Sequence, residues 1–304
     1  MLTRSKTKKK NVRIIIKTKK MDLAHFPTSF PYKSISGAVA QSDYKKLCDR
    51  TFINNMSRIG NAATDKYTFK MRVATNIRGH SHLDYFADHK DKILRCMKSL
   101  KYKEITNAGI LAGIRMRIGS VNQFRPAYAK FIYTKYGAQK VLDISAGWGG
   151  RMLGAMACGI DYTGFDTNKA LVKPYQRIVA AYAHTGDCKL ITADTATINF
   201  KKYDYDMVFT SPPYFMLEKY EDMPQYEDKD DFNARYWRPV VKGSWRGLKK
   251  GGHFILNCPD EMGWLAAQYI GAMPDETLPY YISSRTKDGK KRFEKVFVWH
   301  KHTK

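Results

Sequence analysis

The 304-residue chain is poor in acids. It sets 28 Asp and Glu against 53 Lys and Arg, for a formal charge of +25 at pH 7. An excess of that size speaks to partners rather than to fold, and it selects polyanions: a nucleic acid or an anionic membrane surface. Cysteine is scarce as well. Cys48, Cys96, Cys158, Cys188 and Cys258 lie far apart, none in a C-x-x-C pair and none at a zinc-site spacing with histidine. His80 and His82 form an H-x-H without a nearby third ligand, so no metal is expected. Reduced thiols in an intracellular protein are the simplest account. No apolar run approaches the roughly 18–20 residues that cross a bilayer, which argues against a membrane-spanning role. There is no internal repeat. With 43% hydrophobic and 27% charged residues, the composition excludes wholesale disorder and fibrous or coiled-coil architectures.

The charge is spread unevenly. Residues 1–20 carry nine Lys or Arg and no acid. Only Ile14, Ile15 and Ile16 are apolar in succession there, too few for the apolar stretch of about 7–15 residues in a secretory signal. The segment reads as a basic flexible tail, a solvated one or a nucleic-acid arm or nuclear address. A second region, residues 21–120, reads as mostly helical. Asp84–Leu100 is expected to form one amphipathic helix, with Leu83, Phe86, Ile93, Leu94 and Met97 near a 3.6-residue period. Residues 66–135 hold 15 Lys or Arg and four Asp or Glu, a solvated face or a phosphate-tracking surface.

Beyond Gly137 short apolar runs alternate with helical stretches. Strands are expected at 140–145, 161–166, 189–194, 205–210, 253–258, 278–283 and 293–299. Helices should lie after the first glycine loop, over the segment ending near His184, and from about Asp230 to the Gly251-Gly252 stop. Such alternation calls for a largely parallel sheet covered on both faces. A sheet of that kind binds ligands at the carboxyl ends of its strands.

Chemistry-bearing residues fall at those ends. Asp143 closes the first strand and opens a loop containing Gly147, Gly149 and Gly150, where backbone can approach a ligand and a helix N-terminus offers free N–H groups. A tight strand-to-helix turn would need the same glycines. Asp166 ends the second strand, 23 residues after Asp143, where an acid can accept two ribose hydroxyls. Asp194 ends the third and can accept from an adenine amine. Either acid can instead cap the helix that follows it. Thr210-Ser211-Pro212-Pro213-Tyr214 follows the fourth strand. The two prolines fix φ and withhold their own N–H, so that a carbonyl can be held toward a cleft. The Ser211 hydroxyl and the Pro212 carbonyl can accept both N–H bonds of an exocyclic amine, and Tyr214 offers a face for stacking. Such acceptors localise an amine lone pair that is otherwise delocalised into a base, as attack on a sulfonium methyl requires.

The D-x-x-x-G-x-G loop, the strand-end acids and the S-P-P-Y motif resemble the class I S-adenosylmethionine-dependent DNA amino-methyltransferases, which modify N4 of cytosine or N6 of adenine. The likeness covers roughly residues 120–300 and is closest to phage and large-DNA-virus versions. It implies an α/β fold, a Rossmann-like seven-stranded sheet in the order 3-2-1-4-5-7-6 within a methyltransferase domain over 121–304, and says little about residues 1–100. The mostly helical basic N-terminal extension rests on the pattern and charge described above. It further implies that Asp143, Ser145, Gly147, Gly149, Asp166 and Asp194 hold S-adenosylmethionine while Ser211, Pro212, Pro213 and Tyr214 hold the target base. Gln123-Phe124-Arg125-Pro126 resembles the segment that closes over the methionine moiety. Ile144 and Ser145 stand where the family has Pro and Phe, and Ser211 leans toward N4 of cytosine. DNA is the expected partner in a cytoplasmic, nuclear or virus-packaged protein. The alternatives are an RNA base or protein glutamine methyltransferase and an inactive nucleic-acid-binding scaffold. Seven acids over 217–231 would repel phosphate, unless the later ones serve to open a helix.

Overall fold

A computed structural model describes residues 21–51, 56–77, 79–215, 222–281 and 292–303. The basic tail, Glu218 and Glu221 of the acidic stretch, and residues 282–283 of the strand expected at 278–283 lie outside them. The described residues form two compact units, one of 21–31 with 85–117 and one of 32–84 with 118–303.

In chain order the helices are α1 (Gly37–Asp49), α2 (Asn61–Ala74), α3 (His82–Asp88), α4 (Lys90–Ser99), α5 (Asn107–Ile118) and α6 (Pro126–Lys135). Strands and helices then alternate: β1 (Lys140–Asp143), α7 (Gly150–Cys158), β2 (Asp161–Asp166), α8 (Val172–Ala181), β3 (Cys188–Thr192) and β4 (Met207–Thr210). The chain finishes with α9 (Lys229–Phe232), α10 (Arg238–Gly247), β5 (His253–Asn257), α11 (Asp260–Ile270), β6 (Glu276–Tyr281) and β7 (Phe293–His300).

The smaller unit holds α4, most of α5 and the end of α3. Ile93, Leu94 and Met97 form the buried face of α4. The rings of Phe26 and Phe30 pack on Phe86 at 5.7 and 5.5 Å. The single helix expected over 84–100 is two. His89 leaves the helical region at φ −133°, ψ 37°. Its N–H closes the last turn of α3 on the Tyr85 carbonyl, and its own carbonyl accepts the Ile93 N–H that starts α4.

The larger unit is built on a seven-stranded sheet in the order β3-β2-β1-β4-β5-β7-β6. The first five of these pair in parallel, and β7 runs antiparallel to both β5 and β6. This is a Rossmann-like α/β fold with the strand order expected from the sequence. Successive residues of the central strands face opposite layers. Val141, Met207, Phe209 and Ile255 join one apolar layer with α1, α2, α6, α7 and α8. Leu142, Val208, Phe254 and Leu256 join the other with α9, α10 and α11. Burial on both faces is why the strands read as continuous apolar runs.

Helices α1 and α2 belong to this sheet-bearing unit. The Tyr182 hydroxyl donates to the Ala63 carbonyl at 3.0 Å, and the Tyr44 and Tyr182 rings meet at 4.7 Å. The helix expected from Asp230 to Gly251 is also interrupted. A π-helical turn, Asn233–Trp237, joins α9 to α10. Helix α10 stops at Gly247, where Leu248 turns extended, and Gly251 makes a separate left-handed turn before β5. The acids near the start of this segment have structural partners. Asp228 caps α9 through the Asp231 N–H, while Asp231 takes the Glu227 N–H and Arg235.

Candidate active site

A cavity of about 270 Å³ opens along the carboxyl edge of the sheet. Because β7 is antiparallel, its first residues share that edge with the last residues of β1 to β5. The strand order therefore divides the wall in two. The ends of β3, β2 and β1 line one half, and the ends of β4 and β5 with the start of β7 line the other.

Asp166 and Asp194 line the first half. Asp166 accepts the N–H of Gly147 at 2.8 Å on one oxygen and that of Asn168 at 3.0 Å on the other. Burial pushes its carboxyl up to about 6, and the two backbone hydrogen bonds oppose that rise. Asp194 accepts the Ala196 N–H at 2.9 Å and so caps a 3-10 turn, Thr195–Thr197, while facing the cavity. Capping and cavity-facing are thus properties of the same side chain. Leu171 and Ala193 add apolar wall beside them, and Tyr226, Met223 and Pro224 enclose the space from the segment before α9. Asp222 ties that segment down by accepting the Lys169 N–H at 3.3 Å.

The glycine loop joins the two halves. Gly147 and Gly149 have φ of +60° and +82°, left-handed values that disfavour a Cβ. Tyr175 holds the loop by donating to the carbonyls of Ala146 and Gly147 at 2.9 and 3.2 Å. Ser145, Gly147 and Trp148 line the cavity. Asp143 and Gly149 are not among the lining residues. Asp143 is fully buried, and its carboxylate is committed to Arg151 Nε at 2.6 Å, the Tyr162 hydroxyl at 2.6 Å and the Ser145 N–H at 3.2 Å. It braces the loop from behind. Gly149 instead caps α7 in a left-handed turn.

The segment Gln123–Pro126 closes against the start of α7. A Cβ on Gly150 would lie 1.9 Å from the Phe124 carbonyl oxygen, so only glycine permits this approach. Phe124 stacks on Tyr280 at 4.6 Å and meets Phe209 edge-on at 5.3 Å. Arg125 is buried with its guanidinium 4.0 Å from the Tyr280 ring centre. Gln123 donates to the Asn61 carbonyl at 3.1 Å, which ties the segment to α2.

Ser211, Pro212, Pro213 and Tyr214 all line the second half. The Ser211 and Tyr214 hydroxyls are 3.4 Å apart, and Tyr214 donates to the Asn257 carbonyl at 3.4 Å. Ser211 and the prolines carry no charge, so this corner offers neutral acceptors and an aromatic face. Cys258, next to Asn257, is wholly buried, and burial raises its thiol. A protonated, inaccessible thiol is not a nucleophile. Among the described residues no group of three His, Cys, Asp or Glu is placed to hold a metal, and no helix is long and apolar enough to cross a membrane.

Several lining residues escaped the sequence reading: Asn257, Tyr280, Glu294, Tyr226 and Tyr236. Asn257 ends β5 as Asp166 ends β2, and that position was its one signal. Tyr236 reaches the loop from the π-helical turn, with its hydroxyl 3.2 Å from Ser145 Oγ.

No protein-family model matches the chain, and no curated protein matches it. Solved structures do. TrmN from Thermus thermophilus is 15% identical over 59% of this chain and 49% of its own, with a TM-score of 0.43. NSun6 from Pyrococcus horikoshii, solved with SFG, is 11% identical over 61% of this chain and 54% of its own, with a TM-score of 0.43. A SAM-dependent methyltransferase from Agrobacterium tumefaciens is 15% identical over 60% of this chain and 64% of its own, with a TM-score of 0.43. The aligned part of this chain thus spans about half to under two thirds of each of those proteins.

Proposed function

We propose that the chain is an S-adenosylmethionine-dependent methyltransferase acting on the exocyclic amine of a DNA base, with N4 of cytosine favoured over N6 of adenine. The observation that carries this reading is the division of one cavity into a half with strand-end carboxylates and a half with a neutral Ser-Pro-Pro-Tyr corner. The first half fits a nucleoside. Asp166 retains lone pairs for ribose hydroxyls, Asp194 stands where an adenine amine would lie, and Leu171 with Ala193 gives apolar contact to the ring. The loop at Ser145–Trp148 and the start of α7 offer backbone polar groups to an amino-acid moiety. Bound there, S-adenosylmethionine supplies an electrophilic methyl group.

The remaining chemistry belongs to the chain. Pro212 holds its carbonyl and Ser211 its hydroxyl as acceptors for the two amine hydrogens, drawing the nitrogen toward tetrahedral geometry as the bond forms. Tyr214 stacks on the base. A paired base cannot reach this recess, so the substrate is single-stranded or the base is flipped out, at a cost of a few kcal/mol. Exposed Lys98, Lys101, Lys103 and Arg115 of the smaller unit suit phosphate contacts.

Incubation with labelled S-adenosylmethionine and DNA, RNA or protein in parallel, with nucleoside mass spectrometry of the nucleic acids, tests the reading. N4-methylcytosine in the DNA arm supports it in full, and a methylated base in RNA alone replaces the substrate. A folded sample that binds no S-adenosylmethionine in calorimetry leaves a nucleic-acid-binding scaffold instead.

A further inference from the structure

Amine methylation leaves a proton to be disposed of, and the Ser-Pro-Pro-Tyr corner has nothing that can keep it. As the N–C bond forms, the C–S bond breaks and its electron pair passes to sulfur. The nitrogen is then cationic with one hydrogen too many. The Pro212 carbonyl is far too weak a base, and the Ser211 hydroxyl can only pass a proton on.

Three carboxylates line the cavity among the described residues: Asp166, Asp194 and Glu294. Asp166 and Asp194 stand at the ends of β2 and β3, across β1 from the corner. Glu294 stands on the corner's own side. It is the second residue of β7, which follows β4 and β5 in the sheet. Val296 is level with Ser211, so Glu294 begins two strand spacings across and two residues along, roughly 12 Å between backbones, from Ser211. A glutamate side chain covers less than half of that distance, and the amine held at the corner, or one bridging water, covers the rest. Its direction is also fixed. Glu294 pairs directly with Tyr280 in the antiparallel β6–β7 ladder, and directly opposed residues project from the same face. Both line the cavity. Asn257 links the strands by donating from Nδ2 to the Lys295 carbonyl at 3.1 Å and by accepting from Tyr214 on its own carbonyl.

We propose that Glu294 shares one N–H of the target amine with the Ser211 hydroxyl and takes its proton as the methyl group is transferred, directly or through one bridging water. The protonated carboxyl then returns its proton to solvent. This inference rests on the amino-methyltransferase reading and adds to it the proton acceptor and a basis for choosing amino over keto bases. A carboxylate attracts the N–H groups of cytosine and repels the O4 of thymine or uracil.

The groups facing Glu294 set the pH window. Among the described residues they include Tyr280 on β6, Arg125 stacked on Tyr280, and Cys258 after β5, while Lys295 and Asp260 lie on the opposite face of the sheet. Cys258 stays neutral because burial raises its thiol, as burial also does for Tyr280. Lys295 is engaged by Asp260 at 2.5 Å.

Two measurements on the full chain test the proposal. In single-turnover methylation of a cytosine-containing oligonucleotide, Glu294→Gln should be slower by roughly 10²–10⁴-fold. Its rate should lose the fall at acid pH that wild type shows, and Glu294→Asp should recover part of the rate. Without S-adenosylmethionine, wild type should bind an oligonucleotide with an unpaired cytosine more tightly than the same strand with uracil, a preference that Glu294→Gln should abolish. A Glu294→Gln protein with wild-type rate, pH profile and preference overturns the proposal. A wild-type protein that binds S-adenosylmethionine but methylates no nucleic acid fails at the reading beneath it, and the proposal falls with that reading.

Discussion

The two halves of the cavity hold their polar groups in opposite ways. On the β1–β2–β3 side the carboxylates are already engaged. Asp166 spans the Gly147 and Asn168 N–H groups, Asp194 caps a turn, and behind them Asp143 is saturated by Arg151 and Tyr162. On the β4–β5–β7 side the Ser-Pro-Pro-Tyr corner is neutral and loosely linked, through hydroxyl contacts of 3.4 Å. The difference matches two tasks. Holding a nucleoside uniformly through reaction calls for fixed, ionised acceptors. Stabilising charge that appears only in the transition state calls for oriented groups that bind the ground state weakly.

The largest effect should come from breaking the brace under the first half. Asp143→Ala leaves the buried Arg151 guanidinium without its carboxylate and should destabilise the protein by about 3–5 kcal/mol, read by chemical denaturation. A smaller loss would mean that the Ser145 carbonyl already suffices for Arg151. Tyr214→Ala should act on the other half alone. Loss of one stacking face, worth about 1–3 kcal/mol, should slow methyl transfer by one to two orders of magnitude with S-adenosylmethionine affinity unchanged. Equal loss of both would erase the division.

Gly150→Ala touches both halves, because Phe124 must retreat from the start of α7. It should cost about 1–3 kcal/mol in stability and weaken both cofactor and oligonucleotide binding. The mildest probe is pH. Burial raises Asp166 to about 6, so the folded chain holds this proton more tightly than the unfolded chain does. Its contribution to stability without ligand is therefore full at acid pH and is lost as pH rises from about 4 through 6. Binding runs the other way. Ribose hydroxyls need the ionised carboxylate, so S-adenosylmethionine affinity should fall by up to about tenfold per pH unit below 6. Calorimetry between pH 5 and 8 measures that slope, and Asp166→Asn should flatten it.

The sheet was legible because its strands, covered on both faces, leave apolar runs that stop where acids and prolines begin. Those stops mark Asp166, Asp194 and the Ser211 corner without further information. What sequence position could not supply was direction. Asp143 ends its strand as Asp166 does, yet it faces a guanidinium eight residues later in the chain rather than the cavity. Glu294 and Tyr280 reach the wall through the antiparallel ladder, a long-range pairing invisible in either strand alone. Periodicity also ran across the break at His89, since Phe86 and Ile93, two helical turns apart, keep the same phase whether or not the helix is continuous.

The widened turn at Asn233–Trp237 has a consequence for how this wall can change. One surplus residue there advances the helix by about 100° and brings the Tyr236 phenol beside Ser145. Excising a single residue would restore an ordinary winding and swing the phenol out of reach, leaving the sheet beneath untouched. The aromatic lining beside the loop is thus set by a register that one codon could reset.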